Sequence, residues 1–146
     1  RTAMRAALDA DRSTWSPDTS TTEQQRAVAR QYVAALEQRD PQAMARLLHA
    51  DLRVAYPPRE LWVSGRDAFI DGSERHAPAG AFRYLETGAN AEPAIAVYLC
   101  PPGSASYRRI SVAVLRVAGG QIIEMIDFSD PQVLDTFDLP EVLAHH

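Results

Sequence analysis

The residue in this sequence best suited to chemistry is Asp127, a carboxylate inside the apolar run from Gln121 to Phe128, on the strand face shared by Ile123 and Met125. Hydrocarbon surroundings favour the neutral form of a carboxyl group. It can then work as a general acid or base, or donate a hydrogen bond to an oxyanion. Its alternative use is structural: an ion pair with Arg109 or Arg116, the nearest arginines in the preceding run, or a backbone cap. Tyr32, Tyr56, Trp62 and Tyr98 combine an apolar ring with a polar atom and are candidates to line a pocket for a flat or apolar ligand. Core filling is the competing use of the same side chains. His49 and His76 are expected at helix ends, where a positive charge suits the dipole.

Several chemistries are excluded at once. All 15 basic residues are arginine, so lysine-based Schiff-base and phosphate-loop chemistry is absent. Cys100 is the single cysteine, which rules out an internal disulfide and a cysteine-based zinc cluster. No His-x-x-x-His pair, glycine-rich nucleotide fingerprint or nucleophile elbow occurs, so neither a metal nor a cofactor is expected. A net charge of −4 without a basic stripe argues against direct nucleic-acid contact by this domain.

Positioning these side chains takes a definite series of elements. Residues Arg1 to Leu8 read as the end of a helix with Met4 and Leu8 on one face. Residues 9–22 are a polar linker carrying one large apolar residue, Trp15, expected to dock on the domain because burying an indole contributes a few kcal/mol, on the order of 1.5–3. Thr21 or Thr22 with Gln24 or Gln25 forms a capping box ahead of an amphipathic helix whose stripe is Val28, Tyr32 and Leu36. Asp40-Pro41 caps and starts a second helix with Met44, Leu47 and Leu48 inward. A strand from Leu52 to Tyr56 stops at Pro57-Pro58. A short extended piece spans Leu61 to Val63, and a third helix, capped by Ser64 with Asp67, carries Phe69 and Ile70 inward. Four extended runs then follow: Phe82 to Thr87, Ala94 to Leu99, Tyr107 to Val117 and Gln121 to Phe128. Gly119-Gly120 supplies a two-residue hairpin turn between the last two. Asp130-Pro131 opens a closing helix with Val133, Leu134 and Phe137.

Helices followed by a long meander predict an α+β fold, a strongly curved, mostly antiparallel sheet wrapped around N-terminal helices. The last two strands are apolar on both faces, so the outer face is expected to be covered by a second copy of the chain or by a partner domain. At 146 residues there is one domain, taken as residues 23–140 with a tail at 141–146. No apolar run reaches the ~18 residues of a membrane span, and cytoplasmic residence is expected. The start at Arg1 without methionine reads as a piece of a longer chain or a processed product.

The order of elements, ending in Gly119-Gly120-Gln121-Ile122-Ile123-Glu124-Met125-Ile126-Asp127-Phe128, resembles the SnoaL-like branch of the ketosteroid isomerase and nuclear transport factor cone fold. The flanking pieces resemble the C-terminal extension of actinobacterial-type extracytoplasmic-function sigma factors. These pieces are Arg1 to Leu8, Trp15-Ser16-Pro17, Tyr56-Pro57-Pro58 with Leu61-Trp62, Pro93 to Leu99, Asp127-Phe128-Ser129-Asp130-Pro131 and Asp138-Leu139-Pro140. The resemblance implies a cone pocket lined by Tyr32, Tyr56, Trp62, Tyr98, Arg109 and Asp127, with a small apolar ligand as its occupant. It also implies contacts to upstream sigma-factor regions, and through them to RNA polymerase, made by Trp15, Asp130 and Pro131. The implied function is regulation of transcription initiation. The alternatives are a stand-alone isomerase, cyclase or hydrolase for a polyketide or steroid-like substrate with Asp127 as acid or base, and a dimerisation module with a vestigial pocket.

Overall fold

In the computed structural model, which describes residues 22–89 and 91–144, helix α1 (Thr22–Glu37) opens the fold. It buries Val28, Ala29, Tyr32, Val33 and Ala35. Arg39 turns the chain with a φ of 52°, and Asp40 then caps α2 (Pro41–Leu47) by accepting hydrogen bonds at 3.1 Å from the Gln42 and Ala43 amides. That corner is formed as the Asp-Pro pair predicts.

The chain leaves the helix earlier than its apolar pattern implies. Leu48 and His49 already belong to β1 (Leu48–Ala55), so His49 is not a helix-end residue; its Nδ1 accepts from the Asp51 amide at 3.0 Å. The reason is tertiary: Leu48 pairs in parallel with Ile122 of the last long strand and is fully buried there. After β2 (Trp62–Ser64), helix α3 (Arg66–His76) starts from Gly65 at φ 96° without a side-chain cap, in place of the cap by Ser64 with Asp67 expected from sequence. His76 does end that helix. The meander then runs through β3 (Ala81–Ala89), β4 (Glu92–Cys100), β5 (Ser106–Ala118) and β6 (Gln121–Phe128). Gly119 and Gly120 turn the final hairpin with φ of 59° and 79°, a conformation that costs glycine nothing.

The sheet order is β2-β1-β6-β5-β4-β3, with β1 parallel to β6 and the other pairs antiparallel. Two irregularities decide which residues share a face. In β6, Glu124 pairs with Arg116 but Ile122 pairs with Val117, so Ile123 is an extra residue and Ile122 joins Met125 on the helix-facing side. In β5, Arg109 pairs with Tyr98 but Ser111 pairs with Val97, so Ile110 is extra and Arg109 leaves the face of Ser111. On the concave face Leu48, Leu52, Val54, Ile95, Leu115, Val117, Ile122 and Met125 meet the helices.

The convex face holds Ala94, Ala96, Tyr98, Cys100, Tyr107, Val112 and Val114, and it is covered by the chain itself. Helix α4 (Pro131–Leu134), capped by Asp130 accepting from the Gln132 amide at 3.0 Å, begins a segment whose Leu134, Phe137, Leu139 and Leu143 pack against that face. The segment ends in β7 (Val142–Ala144), which pairs with Ser106 to Arg108 of β5. Residues 142–144, read from sequence as tail, are therefore strand. The apolar outer face, from which a second copy was expected, has an intramolecular cover. Among the described residues, only Leu61 and Val142 are large exposed hydrophobics. No described helix is long and apolar enough to cross a membrane.

Tyr98 fastens this cover, donating from its hydroxyl to the Pro140 carbonyl at 2.6 Å while fully buried. Tyr98→Phe is expected to cost about 1 kcal/mol, the net worth of a typical intramolecular hydrogen bond, since the acceptor belongs to the exposed Pro140. Urea unfolding reads the loss. An unchanged midpoint would mean that Pro140 is hydrated in the native state.

Candidate functional site

Asp127 lies opposite Ala113 of β5, two residues along the strand from the Met125–Leu115 pair, and so projects from the concave face toward the helices. Burial pushes its carboxyl up from an ordinary value of 3.8 to about 6, against the lowering effect of a hydrogen bond from Ser111 and the positive charge of Arg59. Oδ1 is buried and has no hydrogen-bond partner. An orphaned carboxylate oxygen in an apolar setting is costly, and residues that serve only the fold rarely retain one.

Three phenols belong to the same site. Tyr32 reaches it from the buried stripe of α1, Tyr56 from the residue following β1, and Tyr84 from β3. Burial raises the Tyr32 hydroxyl pKa far above its usual range, and the neighbouring Tyr84, Asp127 and Tyr56 oppose its ionisation further. Tyr56 is raised by burial and then by Asp127, and Tyr84 by burial. All three are thus neutral hydrogen-bonding groups at any physiological pH. Arg59 closes the arrangement from the turn after Tyr56, its guanidinium 5.7 Å from the Tyr56 ring centroid.

Of the six pocket residues expected from sequence, the fold brings together Tyr32, Tyr56 and Asp127. Tyr98 and Arg109 lie on the opposite, convex face. There Arg109 donates to the Leu139 carbonyl at 3.2 Å and to Asp135 Oδ1 at 2.8 Å, which fixes the C-terminal cover. Trp62 stands half-buried in edge strand β2, across from Ala55, with the Arg53 guanidinium 4.3 Å above its ring. Arg116 is not a partner of Asp127 either: its ion pairs are with Glu124 at 3.3 Å and Glu92 at 3.9 Å. The expected Asp127–arginine pair is therefore replaced by a hydrogen bond from Ser111. Asp130 and Pro131 form the cap and first turn of α4. Trp15 lies outside the described residues.

Sequence reasoning missed Ser111, Tyr84 and Arg59. Ser111 had a signal, as the one hydroxyl in the apolar stretch from Ile110 to Val117, two residues before the position facing Asp127. Tyr84 and Arg59 had none, because only the curvature of the sheet and the turn after Tyr56 bring them near the other phenols, Arg59 from an exposed position.

Chemically, the site offers a carboxyl that changes charge near neutral pH, a hydroxyl that holds one of its oxygens, and neutral phenols beside it. That suits recognition of a small hydrogen-bonding ligand or a single proton transfer. Among the described residues no group of three or more metal-ligating side chains occurs. Two surface cavities of about 300 Å³ lie away from Asp127, one beside the start of α1 and one between α2 and α3.

Comparison with known proteins fits this architecture. The chain is 29% identical over 115 residues to the extracytoplasmic-function RNA polymerase sigma factor SigG of Mycobacterium tuberculosis; the match covers 77% of this chain and 30% of that protein's length. The chain thus spans less than a third of that relative. Among solved structures, a Kribbella flavida protein provisionally described as a ketosteroid isomerase superposes with a TM-score of 0.61 at 24% identity, over 81% of this chain and 83% of that one. A de novo designed protein with a curved β-sheet gives the same TM-score at 15% identity, over 80% and 93% of the two chains. A designed scaffold matching as well as a natural one shows that these superpositions report the fold alone. With the family profile matching residues 29–125, the chain belongs to the SnoaL-like domain family.

Proposed function

We propose that this chain is the C-terminal regulatory part of an extracytoplasmic-function sigma factor. In this reading residues 1–8 end the promoter-recognising region, residues 9–22 are the tether, and the SnoaL-like domain adjusts transcription initiation through contacts with the upstream regions and RNA polymerase. The carrying observation is the similarity to SigG, which extends over 77% of this chain. The site at Asp127 supports a sensory role: a buried, partly unsatisfied carboxyl with neutral phenols around it is suited to recognising a small, mainly apolar ligand by one or two hydrogen bonds.

Transcription in vitro tests this reading. RNA polymerase holding the longer protein should give a different yield from the cognate promoter when residues 23–140 are deleted. Asp127→Asn in the longer protein should shift the yield in the same direction. Equal yields from all three proteins would rule out regulation by this domain.

A second reading rests on the same carboxyl. With a pKa of about 6 it is poised for proton transfer near neutral pH, the property of a general acid or base in a stand-alone isomerase, cyclase or hydrolase. Turnover of a steroid or polyketide-like compound by the isolated chain, lost in Asp127→Asn without unfolding, would establish it.

A further inference from the structure

A groove of about 300 Å³ lies between the first turns of α1 and the paired ends of β3 and β4. Gly88 and Pro93, opposite each other in the β3–β4 ladder, form its floor together with Thr87, and Gln25, Arg26 and Glu86 form its rim. The floor is mostly hydrocarbon, and the charged residues of the lining are Arg26, Glu86 and Glu92. Gly88 keeps it open by having no side chain. Its φ is not left-handed, and a Cβ there would meet only the Glu92 carbonyl oxygen at 3.6 Å, an ordinary contact. The open space is therefore not a by-product of backbone strain.

We propose that this groove is the docking site of Trp15, the one large apolar side chain in residues 9–21. Chain connectivity selects this occupant. The segment enters α1 at Thr22, and Gln25 and Arg26, which line the groove, sit within the first turn or so of that helix, about 5–6 Å along its axis. From Trp15 to Thr22 the chain can span at most about 25 Å, which puts the groove beside the start of α1 within reach. The chemistry matches as well. An indole needs an apolar slot and one acceptor for its N–H, which the Glu86 carboxylate or the Gln25 amide oxygen provides at the rim. Arg26 can cover the ring face as a cation–π partner. Seated there, Trp15 leaves only residues 9–14 as free tether to whatever precedes them. The domain is thereby held closer to the upstream region than a linker running to Thr22 would hold it. This inference does not depend on the proposed function and is tested without transcription.

The test uses the 146-residue chain carrying Trp62→Phe, so that Trp15 is the only tryptophan and is excited selectively beyond the tyrosine absorption. Its fluorescence should be blue-shifted and weakly quenched by acrylamide in the folded protein. Adding Gly88→Leu, which fills the groove, should move the emission to the red and raise the quenching several-fold with the far-ultraviolet circular dichroism unchanged. Emission typical of a water-exposed indole before that change would overturn docking, and a blue-shifted emission insensitive to Gly88→Leu would overturn this groove as the site. Should Trp62→Phe fail to fold, 5-fluorotryptophan labelling gives two resonances in the otherwise unaltered chain. The one removed by Trp15→Phe should shift on Gly88→Leu, and a resonance that stays in place would equally overturn this groove as the site.

Discussion

Replacing Glu124 with alanine is expected to destabilise the protein by about 3–5 kcal/mol, a large fraction of the total stability of an average domain. Glu124 and Arg116 face each other across β6 and β5 with side chains only 6% and 4% exposed, and Glu92 of β4 completes the group at 12%. Arg116 is permanently charged, so it cannot escape the loss of a partner by releasing its proton. Without Glu124 the buried guanidinium keeps its looser 3.9 Å approach to Glu92 and loses the 3.3 Å one. The double variant Arg116→Leu with Glu124→Leu should recover a good part of the loss, because removing both charges removes the desolvation cost along with the attraction. Chemical denaturation of the two variants measures both effects. A loss below about 1 kcal/mol for Glu124→Ala would indicate a hydrated pair of the surface kind.

Asp127→Asn is expected to do the reverse and stabilise the protein at neutral pH. The folded carboxyl titrates near 6 and the unfolded one near 3.8, so the folded state holds the proton more tightly. Its share of stability is intact below about pH 3.8 and is lost as pH rises through about 6; the full penalty, about 3 kcal/mol, persists above that. Asparagine has the shape of the protonated acid and can keep the Ser111 hydrogen bond. The variant should therefore match the parent near pH 4 and exceed it by up to about 3 kcal/mol near pH 7. Stability curves at the two pH values check this. A stability loss at pH 7 would instead reveal an ion pair to Asp127. A group that costs stability where the protein works is more readily explained by a role in binding or catalysis than by the fold. The same substitution thus separates a structural carboxylate from a functional one before any ligand is known.

Much of the architecture was legible because it is locally encoded. The Val28, Tyr32 and Leu36 stripe, the Asp40-Pro41 and Asp130-Pro131 starts and the Gly119-Gly120 turn are each decided by a few neighbouring residues through helical periodicity, side-chain capping and allowed backbone angles. Tyr32 and Asp127 were identifiable for a related reason. A polar group at a position whose periodicity demands hydrocarbon stands out without any knowledge of its neighbours.

Face assignment farther along the strands was not local. Strict alternation puts Arg109 on the face of Ser111 and Ala113, and Ile123 with Met125. One extra residue in each of β5 and β6 reverses this, because a bulge shifts the alternation of every residue beyond it. Tyr98 likewise looked like a pocket aromatic until the C-terminal segment crossed the convex face and supplied the Pro140 carbonyl as its partner. That segment carries only scattered apolar residues, Leu134, Phe137, Leu139 and Leu143, without a repeating period, so no pattern in it announced a cover for the sheet.

Interactions within a few residues of chain therefore encode most of the element types, the α+β class and the two most telling polar residues of the site, but not the strand at Leu48–His49 or the one at 142–144. The tertiary structure alone decided that Asp127 has Ser111 rather than an arginine as its partner, that Arg116 joins Glu92 and Glu124, and that the chain covers its own convex face. Each of these depends on which distant residues a bent sheet brings into contact, and side-chain periodicity carries no information about that.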